Sequence, residues 1–436
     1  MRLFCFFLLV FTVTFSFSQE FSTLDTLDGN YRDENKAVFT GKINKLVTSF
    51  GSKYPSNVSR KLEEHLENFM EFFLNGIDKG TYIYNTPINE KIDEIYNEIS
   101  KDNPNVPEDF QVLVSRDISL NASCFVNGTM VVNIGTIKYL ESEDQLAAIL
   151  CHEIGHKLLN HSEQYLVKSY EEENSKKTKK EIRDLKKNRY NQQELAFTVL
   201  KEKLYNNSEE KRKREFEADS IGLSLLGNTK YDPAHFLRAL ELSLLHDTIA
   251  PADLNVKIYS EVFDLPGQPF NQEWLVQEDF STYDYVFEEK FSKDSLSSHP
   301  EINERVEKLK SLFPASLDIE EKDALANSEN PQYQNLRLVA KKEEVPNLFL
   351  LKKYGFCIYL SLIKIEQDYR VAYHKEWMGK AFHELYKARK SYTANKYLDR
   401  INPEEHSESY QQFINFMWNL NLQEIKNIAD FYSKVD

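Results

Sequence analysis

Ser142-Glu143-Asp144-Gln145-Leu146-Ala147-Ala148-Ile149-Leu150-Cys151-His152-Glu153-Ile154-Gly155-His156 opens on a helix start signal and closes on two histidines four residues apart. Ser142 with Gln145 three positions on reads as a capping box, and Leu146 to Leu150 are helix formers, so the pattern predicts one helix running through both histidines. Residues i and i+4 share a helical face, so the two imidazoles can point at one metal ion and Glu153 can reach a water held on it. Two ligands and a base thus come from a single turn. Cys151 points elsewhere, because neighbours i and i+1 do not share a face, and it reads as a packing residue.

A hydrolytic zinc site takes three protein ligands and keeps a fourth position open. A glycine three residues after His156 with a histidine three further on would be one solution, but Leu159 and Ser162 stand there. The other solution is a glutamate on a later helix with an aspartate one turn on. Arg214-Glu215-Phe216-Glu217-Ala218-Asp219 supplies it, with Glu215 and Asp219 on one face. Glu215 then joins His152 and His156 around one zinc ion per chain, and Asp219 accepts the second ring N–H of a zinc histidine. Glu217 is the competing ligand, but it has no acidic residue one turn on.

With these residues the chain resembles the gluzincin metallopeptidases that include the CAAX prenyl protease and the HtpX-type membrane proteases, and in particular their exported branch. Asn121-Ala122-Ser123 and Gly128 to Gly135 resemble the strand and turn that precede the metal helix, and Ser298-His299-Pro300 with Arg305 resembles the last motif. The likeness covers roughly residues 80 to 312. It implies a zinc endopeptidase with Glu153 as general base and later acid, and His152, His156 and Glu215 as ligands with Asp219 behind them. His299 is then a catalytic residue near the metal, stabilising the transition state or taking the open position in an off state. Ser298 before Pro300 also reads as a plain helix start, with His299 structural.

The remaining histidines carry less. His161 falls off the metal-facing turn, and His65, His235, His246, His374 and His406 have no partner at ligand spacing. His383-Glu384-Leu385-Tyr386-Lys387 begins like the metal motif and ends on a lysine.

Met1-Arg2, the apolar run Leu3 to Phe15 and the small residues of Ser16-Phe17-Ser18 read as a secretory signal peptide over 1–18, with an uncleaved anchor as the alternative. The best later apolar run, Tyr354 to Ile365, is too short to span a bilayer. An exported, soluble protein is expected, periplasmic or extracellular. Of four cysteines Cys5 lies in the signal, and Cys124, Cys151 and Cys357 make no disulfide framework. A net charge of −15 argues against a nucleic-acid role.

The 436 residues call for more than one domain, and their 41% hydrophobic content is enough for real cores. The expected fold is α+β: a mainly helical zincin catalytic domain with a small β-sheet over 80–313, preceded by a helical extension over 19–79. A helical domain resembling tetratricopeptide repeats follows over 314–436. Residues 20 to about 50 show few periodic signals, and a helix starts near Ser59 and ends between Gly76 and Gly80. Thr86-Pro87 caps a helix with Ile88, Ile92, Ile95 and Ile99 on one face. Asp109–Ser115 and Thr129–Ile134 read as strands, with Asn121 to Phe125 as the edge strand that would hold substrate by strand addition. Residues 163–213 read as two antiparallel helices and 247–297 as a lid, plug or surface loop. Two functions follow. One is an endopeptidase acting on exported, including misfolded, polypeptides. The other is a latched or chaperone-like binding protein in which the C-terminal helices dock substrate or a larger assembly.

Overall fold

The computed structural model describes residues 24, 28–107, 110–187, 192–247, 252–276, 302–312, 330–402 and 406–433. The fold is α+β and mainly helical, with one four-stranded sheet among the described residues. Helices α1 (Gly29–Lys53) and α2 (Ser56–Asp78), interrupted at Pro55, pack against each other. Phe39 stacks on Phe73 with ring centroids 3.9 Å apart. Strand β1 (Tyr82–Ile83) follows, then α3 (Pro87–Asp102), whose Thr86 and Asn89 form the capping box that Thr86-Pro87 announced.

Strands β2 (Gln111–Ser115), β3 (Ala122–Cys124) and β4 (Thr129–Asn133) complete the sheet in the order β1-β2-β4-β3. The β2–β4 pair is parallel and the outer pairs are antiparallel, so β3 is an edge. Alternation along the strands feeds two cores. Val114, Met130 and Val132 join the core with α3, while Leu113 and Val131 face the α1–α2 pair.

Helix α4 (Ile134–Tyr139) leads to α5 (Glu143–Leu158), capped as expected by Ser142, whose side chain accepts from the Gln145 N–H. Every residue from Gln145 to Gly155 is buried. Helices α6 (His161–Asn174), α7 (Lys176–Lys187) and α8 (Gln192–Gly227) follow, and α8 lies along α5. Helix α9 (His235–Asp247) packs on the other flank of α5. Further on come α10 (Lys257–Phe263), α11 (Ile302–Leu312), α12 (Pro331–Lys342), α13 (Glu344–Leu350), α14 (Tyr354–Glu366), α15 (Val371–Lys390), α16 (Glu408–Asn419) and α17 (Leu422–Tyr432).

The cores are not contiguous in sequence. Tyr333, Leu336 and Ala340 of α12 belong to the core around α5, whereas Ile258, Phe263, Leu265 and Trp274 pack with α14 to α17 in the C-terminal core. The two bodies are tied by Arg116, which is 1% exposed. Its Nε donates to the Gly80 carbonyl and its Nη1 to Asn347 Oδ1, each at 2.9 Å. Glu343 of the same junction accepts from the Leu24 N–H at 2.8 Å.

Several expectations need correction. Residues 29–53 form a helix rather than an unpatterned stretch, because sparse apolar residues at Phe39, Ile43 and Phe50 suffice to dock it. Residues 252–276 are not a lid: they contribute α10 and a short 3-10 helix, Gln272–Leu275, to the C-terminal core. The described residues of 163–213 are divided among three helices rather than two. Helices α13 and α14 are separated at Lys352, which takes a left-handed φ of 60°. Residues 1–18, and 277–297 of the expected lid, lie outside the described residues. Among the described residues no helix is long and apolar enough to cross a membrane.

Candidate metal centre

Helix α5 brings His152 and His156 to one face with Nε2 atoms 3.1 Å apart. From α8, Glu215 presents Oε2 at 3.5 Å from His152 Nε2 and Oε1 at 3.6 Å from His156 Nε2. One atom from each residue lies within 4.8 Å of the other two. A tetrahedral ion with bonds of about 2.05 Å sets its ligand atoms roughly 3.4 Å apart, so this spacing and this nitrogen and carboxylate donor set fit zinc. Two neutral imidazoles cannot aim lone pairs at each other at that distance without a cation or proton between them.

The α5–α8 contact that sets this geometry depends on two glycines. A methyl on Gly155 would lie 2.7 Å from the Ala218 carbonyl oxygen, and one on Gly222 would lie 2.9 Å from His152 Cα. Both clashes are with backbone, so only glycine lets the two ligand-bearing helices approach this closely.

Each imidazole is held from behind. His152 Nδ1 lies 2.8 Å from Asp219 Oδ1. Asp219 is fully buried and takes two hydrogen bonds of 2.6 Å from Arg305 Nε and Nη2. Arg305 also places Nη1 at 3.4 Å from Glu215 Oε2, so one guanidinium braces a ligand and the support of another. Burial works against the Asp219 charge, but Arg305 outweighs it and holds the carboxyl below the usual aspartate range. Burial likewise opposes a charge on His152, yet its hydrogen bonds to Asp219 and Glu215 raise its pKa. Burial and the adjacent His152 push His156 down.

Behind His156 stands His161, with the two Nδ1 atoms 3.0 Å apart, and His161 Nε2 lies 3.3 Å from Glu217 Oε2. So Glu215 joins the histidine pair, while Glu217, the alternative ligand on the same helix, reaches His161. His161 itself is not among the converging donors. Neither partnership shows in linear spacing. The one clue is Asn160, which adopts a left-handed φ of 53° between α5 and α6 and turns His161 back toward α5.

Glu153 is 7% exposed. It lines a cavity of about 20 Å³ with Leu120, Ala122, Ile149, Leu240 and Ser243. Ala122 belongs to β3. The Asn133 N–H donates to the Asn121 carbonyl and the Phe125 N–H to the Thr129 carbonyl, so alternation turns the Ala122 main chain away from β4. The outer edge of the sheet thus borders the metal centre. His299 lies outside the described residues. His235, His246, His374, His383 and His406 are absent from the donor cluster.

The model of peptidase family M48 matches residues 86–313. The chain belongs to peptidase family M48. The family match runs from α3 through α11, taking in strands β2 to β4, both ligand-bearing helices and Arg305. The chain is also 30% identical over 124 residues to the mitochondrial metalloendopeptidase OMA1 of Arabidopsis thaliana, covering 28% of this chain and 24% of that protein. It thus spans about a quarter of the length of that curated relative. The α1–α2 pair and helices α12 to α17 lie outside the M48 match.

Proposed function

We propose that this chain is a zinc-dependent endopeptidase that hydrolyses peptide bonds of exported polypeptides, misfolded ones included. The observation that carries the proposal is convergence. His152, His156 and Glu215 meet at one point, with Glu153 and the Ala122 edge on a shared cavity. Family membership and the likeness to a metalloendopeptidase agree with it. The leader-like residues 1–18 support export.

Zinc held by His152, His156 and Glu215 supplies Lewis acidity, which acidifies water and polarises a peptide carbonyl. Glu153 takes the proton as water adds to the carbonyl carbon, then delivers it to the departing amine. Asp219 keeps the His152 proton at Nδ1, and Arg305 keeps Asp219 and Glu215 oriented. Substrate backbone pairs with β3 through the Ala122 main chain, a mode that tolerates many sequences. The cavity beside Glu153 admits about one water, so it selects a small side chain at the adjoining substrate position. His299 is assigned the transition-state or off-state role carried by its motif. The C-terminal helices serve as a docking scaffold of the tetratricopeptide kind.

The test is degradation of unfolded casein by the zinc-loaded protein. Cleavage should disappear with a chelator and return with zinc. No cleavage by protein carrying one zinc per chain would contradict the proposal and favour the latched, chaperone-like reading.

A further inference from the structure

We infer that His161, backed by Glu217, is a positioning residue that fixes the tautomer and ring orientation of His156. The inference rests on the metal-centre reading above and goes beyond its ligand set. His156 can offer its Nε2 lone pair to a metal only if its proton sits on Nδ1. That N–H faces His161 Nδ1 at 3.0 Å, so His161 must accept there and carry its own proton on Nε2. Glu217 Oε2, at 3.3 Å, accepts that proton's hydrogen bond. With both rings neutral, this proton arrangement satisfies both contacts and leaves the lone pair of His156 pointing at the other donors.

The surroundings make the arrangement rigid. His161 is 4% exposed and is the first residue of α6. The His156 and His161 rings meet edge to face at 74°. Glu217 lies on α8, two residues after Glu215, so the relay closes a circuit through α5, α6 and α8. Lys213 pairs with the other Glu217 oxygen at 3.7 Å. The two ligand histidines are thus supported differently: His152 by a buried carboxylate directly, His156 through an intervening imidazole. A purely structural helix-start histidine would need neither ring nitrogen aimed at these partners.

The experiment measures zinc dissociation constants for the full chain by competition with a chromogenic chelator, beside the melting temperature of each metal-free protein. His161→Phe should weaken zinc binding about ten- to a hundredfold, the range expected when such a support is removed. His161→Asn, whose Oδ1 can accept the His156 Nδ1–H, should recover most of that loss. Glu217→Ala alters a half-exposed side chain and keeps the test decisive if the Phe variant does not fold; it should weaken zinc several-fold. Wild-type affinity in His161→Phe or Glu217→Ala, or equal losses in His161→Phe and His161→Asn, would overturn the relay. Failure of the wild type to bind zinc would overturn the metal-centre reading as well.

Discussion

Gly222 and His152 are in backbone contact: a methyl group on Gly222 would lie 2.9 Å from His152 Cα and the same distance from its nitrogen. The ligand histidine and the helix that carries Glu215 are thereby locked at a fixed separation. Gly222→Ala has no flexible side chain to displace, so α8 must move off α5. We expect a stability loss of about 1–3 kcal/mol, as for overpacked cores, and weaker zinc binding. Urea denaturation with zinc titration checks both. Unchanged zinc affinity would show that the helix spacing does not set the ligand geometry.

Arg305 and Asp219 form a buried pair, and removing one partner strands the other. Arg305→Leu should cost about 3–5 kcal/mol, because the buried Asp219 carboxylate loses both guanidinium hydrogen bonds and the charge that offsets its own. Asp219→Asn removes the charge instead and should reduce zinc affinity about ten- to a hundredfold. Denaturant midpoints and chelator competition separate the two effects.

His374 gives the C-terminal core an acid limit. Among the described residues neither ring nitrogen has a hydrogen-bond partner, and the ring is 4% exposed. Burial, with Lys364 and Arg370 adding to it, lowers its pKa to about 4. The unfolded chain therefore takes up this proton first, so the contribution is intact above pH 6.5 and is lost as pH falls toward 4. The loss amounts to roughly 3 kcal/mol. Comparing unfolding free energies at pH 7.5 and 4.5, His374→Leu should show a smaller acid loss than the wild type. Equal losses would refute the assignment.

Leu240 sets the size of the cavity beside Glu153. Leu240→Ala removes wall atoms and should shift the cleavage preference toward larger apolar side chains at that position, read by mass spectrometry of casein digests. An unchanged site distribution would mean that this cavity does not receive a substrate side chain.

Local signals announced much of this structure, and long-range ones did not. The α5 cap at Ser142, the α3 cap at Thr86 and the alternation in β2 and β4 operate within a few residues, so they are readable along the chain. Helix α1 was hidden because its docking depends on Phe73, far away in sequence. Trp274 and Phe263 read as loop residues until Phe416 is seen against both. At the site, the spacing of His152, His156 and Glu215 was visible. The His161–Glu217 contact was not, because it joins residues 56 positions apart on two different helices. The glycines showed only as gaps in an apolar pattern, since their role is defined by what a methyl group would strike.

The most direct test compares proteolysis by the wild type and Glu153→Gln, with zinc content measured on both. Glutamine keeps the shape but cannot take a proton. We predict one zinc per chain in each protein and a loss of casein cleavage of about a thousandfold or more in the variant, at the upper part of the range for general acid–base groups. Cleavage by Glu153→Gln at the wild-type rate with zinc retained would contradict the account.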